Sequence, residues 1–514
     1  MFPNDNYVRR ILEALSGTPE RPALVRDGAE MTAGEFSGAV LTAADVLRRN
    51  TPEGEIPVVA VLTVTNTPAT VILRYAANLV GGTVVHLHST NAVDPSDQLA
   101  AEERREILAS TGATFLAVDK EYVDLARELC ERLPKAPRIA ALGALGTDVL
   151  DLTAGEADAI DLAAVETDSE RPAVVLYTSG TTGRPKGVTL PYRVRGLYIA
   201  AGLQAPAPTV YLSTLPASHS SGSGIDLALA SGGTVVLHDG FDADKVLSAV
   251  AEHRVTVLTL TPPQIYQLVD HPGLSAADLS SLQMITYGGC PASPARLAEA
   301  VKALGPRLLQ FYGTTETSGI SMLLPPDHFD PGLCATAGKL TAEVSIRDQE
   351  DHRELPLGEV GEVCVRSPFN MLGYWGEPEQ TAQTVREGWV HTGDLGSLDE
   401  RGYLTLHGRV GEVMKTNGIK VHPTTVENAL LAHPEVAQAA VYCVVDADRV
   451  EHIHAAVVLR AGGGADAEAL REHVAAELSP QHVPAVIAFH GELPLTGAGK
   501  PDKRWLAAHE AGAA

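Results

Sequence analysis

The chain has 514 residues, enough for roughly two to four domains and for a core that needs no disulfide or metal staple. Its composition, 45% hydrophobic and 20% charged, excludes collagen-like, coiled-coil and largely disordered readings. Sixty-four acidic residues against 39 basic ones give a formal charge of −25, a surface that repels phosphate backbones and argues against a nucleic-acid or anionic-membrane binder.

The N-terminus, Met1-Phe2-Pro3-Asn4-Asp5, lacks a basic stretch followed by an apolar core, so no signal peptide is expected. Residues 1–50 read as helical with short turns, with helical spacing of apolar positions over Tyr7–Leu15 and Thr32–Leu47. Strand-like and helix-like runs then alternate: Ile56–Val64, helix Pro68–Leu79, strand Gly82–Leu87, helix Ala101–Ser110, strand Thr114–Val118. This βαβα order predicts a parallel sheet covered by helices. Residues 150–171, acidic and Ala-rich, read as a loose connector. A second alternating block follows, with strands at Ala173–Tyr177, Thr234–Leu237, Thr256–Leu260 and Met284–Tyr287 and a helix at Ala243–His253. From about 335 to 407, short strands between Gly and Asp turns (Glu343–Asp348, Gly361–Arg366, Gly402–His407) suggest a small antiparallel or barrel-like unit. Val421–Ala514 forms another short α/β block, with Ala508–Ala514 expected to be a disordered tail.

No run of about 18 apolar residues appears, so no spanning helix is predicted. The cysteines, Cys130, Cys290, Cys334, Cys364 and Cys443, are far apart and never in a CxxC pair. They read as reduced cytoplasmic thiols, buried as small hydrophobes. His86 and His88 alternate in Val84-Val85-His86-Leu87-His88 and are expected to be buried and satisfied.

The most informative segment is Tyr177-Thr178-Ser179-Gly180-Thr181-Thr182-Gly183-Arg184-Pro185-Lys186-Gly187. Glycines let backbone N–H groups approach a phosphate, hydroxyls add donors, and Arg184 and Lys186 supply charge that the acidic chain otherwise lacks. It is not a Walker A loop, which requires GxxxxGK[ST].

This loop resembles the phosphate loop of the adenylate-forming superfamily of acyl-CoA synthetases, adenylation domains and luciferases. Four more segments resemble that family's motifs in the family's order: Phe311-Tyr312-Gly313-Thr314-Thr315-Glu316, His391-Thr392-Gly393-Asp394, Gly408-Arg409 with Asn417-Gly418, and Thr496-Gly497-Ala498-Gly499-Lys500. The resemblance implies a mixed α/β fold. A large N-terminal body, residues 1–409, would contain two α/β subdomains and a small β-barrel-like one. A small mobile α+β lid, residues 410–514, would carry the catalytic lysine.

It also implies a reaction: a carboxylate and ATP give an acyl adenylate and pyrophosphate, mainly through positioning and charge stabilisation. Thr178, Ser179, Gly180, Thr181, Thr182 and Lys186 would hold phosphates. Gly289, Cys290 and Pro291 would line the adenine and Tyr312 would stack on it, beside Gly313 and Thr314. Thr315 would bond the α-phosphate and Glu316 would hold Mg²⁺. Asp394 would accept hydrogen bonds from the ribose hydroxyls, and Arg409 would reach the ribose from the domain junction. Lys500 would stabilise the adenylation transition state, whereas Lys503 is expected to be a solvated turn lysine.

In Thr214-Leu215-Pro216-Ala217-Ser218-His219-Ser220-Ser221-Gly222-Ser223-Gly224, His219 would contact the carboxylate. Ser223, Gly224, Gly288, Gly313 and Thr314 would line a compact pocket suited to a small, even aromatic, acid. Val410 and Gly411 form the expected hinge, although family members usually carry Asp or Lys at position 411. Gly418 and Lys420 lie where the family contacts the acceptor channel. Coenzyme A is the expected acceptor. Alternatives are a carrier-protein thiol, an amine, or a branch that activates nitrite for reaction with an aromatic amine.

Overall fold

The computed structural model describes residues 5–87, 99–179, 185–416, 418–446, 448–496 and 500–510. They divide into two compact units. The first comprises Met1–Thr259, Asp278–Gln283 and Pro368–Gln383, and the second Leu260–Ala277, Met284–Ser367 and Thr384–Ala514.

In the first unit an eight-stranded sheet runs in the order Gly373–Tyr374, Pro185–Pro191, Pro172–Ser179, Thr83–His86, Val58–Leu62, Phe115–Val118, Arg138–Ala141, Leu150–Asp151. All pairs from Pro172–Ser179 onward are parallel. All four residues of Phe115–Val118 are buried, as a strand covered on both faces requires. Ala60, Leu62, Val85, Leu116 and Val175 pack into one core on this sheet. Helix Pro68–Leu79 has the predicted bounds because Thr67 caps it through Thr70 N–H and Pro68 occupies its first turn. The expected connector at 150–171 instead supplies the last strand, then two 3₁₀ turns, with Leu152 fully buried.

The other strands of this unit run Val257–Leu260, Val210–Ser213, Thr234–Leu237, Pro22–Arg26, Ala29–Thr32, parallel except for the last pair. That last pair corrects the all-helical reading of residues 1–50. Asp27 and Gly28 both have positive φ, 50° and 77°, and close a tight hairpin. Helix Ala33–Arg49 follows directly, started by a capping box between Thr32 and Glu35.

In the second unit Met284–Tyr287 and Leu308–Thr314 run parallel, and Ser318–Leu323 folds back antiparallel. The Gly and Asp turns produce the expected β-rich part. Glu343–Arg347, Gly361–Arg366, Trp389–Leu398 and Val385–Arg386 form an antiparallel path, with Leu404–Arg409 paired to Trp389–Leu398. Alternation puts Val363 and Val365 in its core with Ile346 and Leu404, and leaves Glu362 and Cys364 on the opposite face.

Beyond Arg409 a further sheet pairs Val436–Val445 with Glu451–Leu459 and that strand with Val486–Phe489. Helices Pro423–Ala432 and Ala467–Glu477 share a core with it. A second, smaller core joins Ala440, Tyr442 and Ala456 to Leu506 of helix Lys503–Glu510. That helix corrects the first part of the tail expected over Ala508–Ala514: the Asp502 side chain accepts from Arg504 N–H and Trp505 N–H and starts it, and it continues to Glu510, residues 511–514 lying outside the described ones. Arg460 joins this part to two other helices of the unit. Its Nη2 lies 2.9 Å from both carboxylate oxygens of Glu299, while Arg296 bonds Asp270 at 2.6 Å.

No helix among the described residues is long and apolar enough to cross a membrane. All five cysteines are free. Cys334 and Cys364 are buried as expected, whereas Cys130, Cys290 and Cys443 are partly exposed.

Candidate active site

Three strands of the second unit bring Tyr312, Asp394 and Arg409 together. Asp394 and Arg409 are direct register partners across an antiparallel pair. The Tyr312 hydroxyl donates to Asp394 Oδ2 at 2.7 Å and Arg409 Nε donates to Oδ1 at 2.9 Å. Arg409 Nη2 also reaches Thr392 O at 3.2 Å. Burial, then the Asp394 charge, holds the Tyr312 hydroxyl well above its ordinary pKa, so it remains a donor. Burial opposes the charge on Arg409, but Asp394, Glu412 and Glu316 outweigh it and keep the guanidinium charged.

The loop behind Asp394 is held from below. Gly393, at φ 72°, donates its N–H to Glu362 Oε1 at 3.0 Å, and the other Glu362 oxygen lies 2.8 Å from His391 Nδ1. Sequence reasoning missed Glu362 because only strand register brings it to Gly393.

Gly313 has a steric role besides its place in the motif. A Cβ there would sit 1.6 Å from Ser318 O, so the fold-back of Ser318–Leu323 requires glycine. Thr314 and Thr317 close the turn, their Oγ1 atoms 3.0 Å apart, and it presents Thr315 and Glu316 half-buried. Gly288 likewise packs where a Cβ would meet Phe311 O at 2.3 Å.

Lys500 and Gly289 are neighbours. A Cβ on Gly289, whose φ is 86°, would lie 3.7 Å from Lys500 Cε. Burial pushes the Cys290 thiol up to about 11, with Lys500 pulling the other way, and Pro291 is exposed. The lysine loop is pinned by a bridge between Leu495 and Pro501 and by Thr496 N–H donating to Lys500 O at 2.6 Å. Gly497, Ala498 and Gly499 lie outside the described residues.

Lys503 is not a solvated turn lysine. Its Nζ lies 2.7 Å from Glu427 Oε1, which also accepts from Val441 N–H. Burial works against its charge, but Glu427 and Glu412 outweigh burial and raise its pKa.

Val410–Glu412 is a single 3₁₀ turn. Gly411 has open space around its Cα and no positive φ, so the local conformation does not demand glycine. Gly418, at φ 78°, and Lys420 are exposed residues of the hairpin Met414–Thr416/Ile419–Val421, whose Met414 and Val421 enter the core; Asn417 is not among the described residues.

In the first unit Thr178 faces Lys186 across the hairpin, and Lys186 Nζ stands 5.4 Å from the Tyr374 ring centre. The Ser179 side chain and Gly180, Thr181 and Thr182 lie outside the described residues, as does His88; His86 is buried. His219 precedes helix Ser220–Ala230, with Nδ1 3.0 Å from Ser218 Oγ. Ser223 Oγ accepts from Arg195 Nη1 at 3.3 Å. Gly224 packs on Tyr211, where a Cβ would come within 2.5 Å of the ring, so this glycine serves the core as well as any pocket. On the buried side of that helix, Asp226 bonds both Arg74 and Arg195 and accepts from Tyr75 OH at 2.7 Å. Asp226 is fully buried and both arginine side chains are 5% exposed or less. Neither the cluster nor its burial was visible in the sequence.

A carboxylate held by a phenol and a guanidinium, a turn presenting Thr and Glu, and a lysine beside a left-handed glycine form a set that can accept a ribose diol and place a cation against phosphate. Residues 11–375 match the model of the AMP-binding enzyme family and residues 425–500 that of the AMP-binding enzyme C-terminal domain. Medium/long-chain-fatty-acid–CoA ligase FadD8 of Mycobacterium tuberculosis is 32% identical over 83% of this chain and 78% of its own. Feruloyl-CoA synthase of an Amycolatopsis species is 32% identical over 94% of both. The solved amide bond synthetase McbA of Marinactinospora thermotolerans superposes with a TM-score of 0.86 at 35% identity, covering 98% of this chain and 99% of that one. The chain belongs to the AMP-binding enzyme family and is an adenylate-forming enzyme.

Proposed function

We propose that this enzyme activates a compact, even aromatic, carboxylic acid as an acyl adenylate and passes the acyl group to coenzyme A. The observation that carries the proposal is Lys500 beside Gly289, in the same unit as the Tyr312–Asp394–Arg409 cluster. Residues 1–409 bind ATP and acid, and residues 410–514 act as a lid turning about Val410 and Gly411. Thr178, Lys186 and the loop between them hold the phosphates, with His219, Ser223 and Gly224 toward the acid. Tyr312, Gly289, Cys290 and Pro291 take the adenine, and Asp394 with Arg409 takes the ribose. Thr315 and Lys500 stabilise charge at the α-phosphorus as the carboxylate attacks and pyrophosphate leaves. Glu316 suits Mg²⁺, being one half-buried carboxylate next to the phosphate-facing threonine; the ion would neutralise phosphate charge. Gly418 and Lys420 line the approach of the acceptor. The free thiols support a reducing, cytoplasmic setting.

The test is Lys500→Ala. Its side chain is exposed, so folding is expected to persist while acid-dependent pyrophosphate release falls by about 10²–10³-fold. Near-normal release would refute the assignment. A panel of aryl and fatty acids, with and without coenzyme A, identifies the acid and the acceptor. The likeness to an amide bond synthetase favours one second reading, an amine acceptor. Amide formation from acid, ATP and amine without coenzyme A would establish it.

A further inference from the structure

The face of the antiparallel sheet opposite its core gathers four potential ligands. Glu362 and Cys364 alternate on strand Gly361–Arg366, and His391 is the direct register partner of Cys364 on the neighbouring strand. His352 comes from the turn before that strand, where its φ is 59°. Its ring meets that of His391 edge-on, with centres 5.2 Å apart and planes at 77°.

Ligand atoms of His352, Glu362 and His391 all lie within 4.8 Å of one another. Glu362 Oε2 is 2.8 Å from His391 Nδ1, and Cys364 Sγ is 3.4 Å from that same nitrogen. The His391 and Glu362 side chains are only 7% and 13% exposed. His352 Nδ1 is buried without a hydrogen-bond partner.

We propose that His352, Glu362 and His391 form a zinc-type divalent-cation site, with Cys364 as a fourth donor. Two imidazole nitrogens, a carboxylate oxygen and a thiolate suit a tetrahedral ion. Binding exchanges protons for metal. His391 binds through Nδ1 as its neutral Nε2–H tautomer, the Nδ1 proton passing to solvent as a solvent proton joins Nε2, and Glu362 Oε2 turns to the ion as carboxylate; Cys364 joins as thiolate by releasing its own proton to solvent. Glu362 Oε1 keeps its bond to Gly393 N–H, so the ion braces the residue next to Asp394. Arg386 is the opposing charge. Its guanidinium sits against His352 Nε2, and the residue is exposed. The site needs no nucleotide and stands or falls apart from the assignment of Lys500.

The test titrates chelator-treated full-length protein with Zn²⁺ alone, following binding by calorimetry and competition with a chromophoric chelator. One ion per chain is expected. Glu362→Gln and His391→Ala should weaken binding at least about 10-fold. Arg386→Ala should tighten it by removing a competing charge. His352→Ala, at a half-exposed turn away from Gly393, covers the case in which Glu362→Gln fails to fold. Co²⁺ in place of Zn²⁺ should give visible tetrahedral bands, with a thiolate charge-transfer band that Cys364→Ser abolishes. Absence of stoichiometric binding by the wild type, or equal affinity in the wild type and His352→Ala, overturns the proposal.

Discussion

Replacing Asp226 by Asn removes the carboxylate that faces two buried guanidinium groups. Arg74 and Arg195 both bond it, and the Tyr75 hydroxyl completes its shell. The neighbouring phenols supply no negative charge, since burial holds Tyr75 well above its ordinary pKa and Tyr7 at about 12. The variant therefore leaves two cations in a site with almost no solvent. Breaking a buried pair from one side costs about 3–5 kcal/mol. At about 2–4 °C per kcal/mol for a domain of this size, the melting temperature should fall by about 6–20 °C. Arg195→Met is the control. It leaves Asp226 paired with Arg74 and removes the unbalanced charge, so the loss should stay under about 2 kcal/mol despite the broken bonds to Gly222 O and Ser223. Thermal unfolding of the purified variants at one concentration measures both. If Asp226→Asn is no less stable than Arg195→Met, the charge argument is wrong.

Gly313→Ala puts a Cβ 1.6 Å from Ser318 O, so either the fold-back strand or the Tyr312–Asp394 bond must shift. ATP affinity should fall at least about 10-fold, a loss of about 1.4 kcal/mol; wild-type nucleotide binding would contradict the steric argument. A pH dependence also follows. Burial lowers the pKa of His238, His328, His407, His422 and His433 below the ordinary histidine value. A group whose folded pKa is depressed adds stability above its unfolded pKa, about 6.5 for histidine, and that stability is lost as pH falls toward the folded value. Melting temperature should therefore decline from about pH 7 to pH 5; a flat or rising profile would contradict this.

Local signals suffice where local physics decides. Thr67 and Pro68 announce a helix start and Thr234–Leu237 is a short apolar run, and both elements have the bounds predicted. The Asp27-Gly28 hairpin is equally local, but helical spacing on both sides masks its turn signal. The motif residues of the second unit were identifiable, but what holds them was not. Glu362 and Gly393 are 31 positions apart and meet through strand register, and Arg74 and Asp226 are 152 apart and meet through tertiary packing. Lys503 looked like any lysine after a glycine-rich loop until the fold set Glu427 beside it. The motif resemblance places Gly313 and Gly288 along a ligand, and in the fold each also serves a backbone approach that no side chain could share.

Arg409 ends its strand, and the next three residues make one 3₁₀ turn. Ladder register fixes Arg409 opposite Asp394, on the near side of that turn. A swing beginning at residue 410 would carry Lys500 away and leave Tyr312, Asp394 and Arg409 undisturbed. The nucleotide would then have tenants and a visitor: three groups resident through both half-reactions, and one cation present only for the first. Chain connectivity, through the placement of a single turn, would set the order of events.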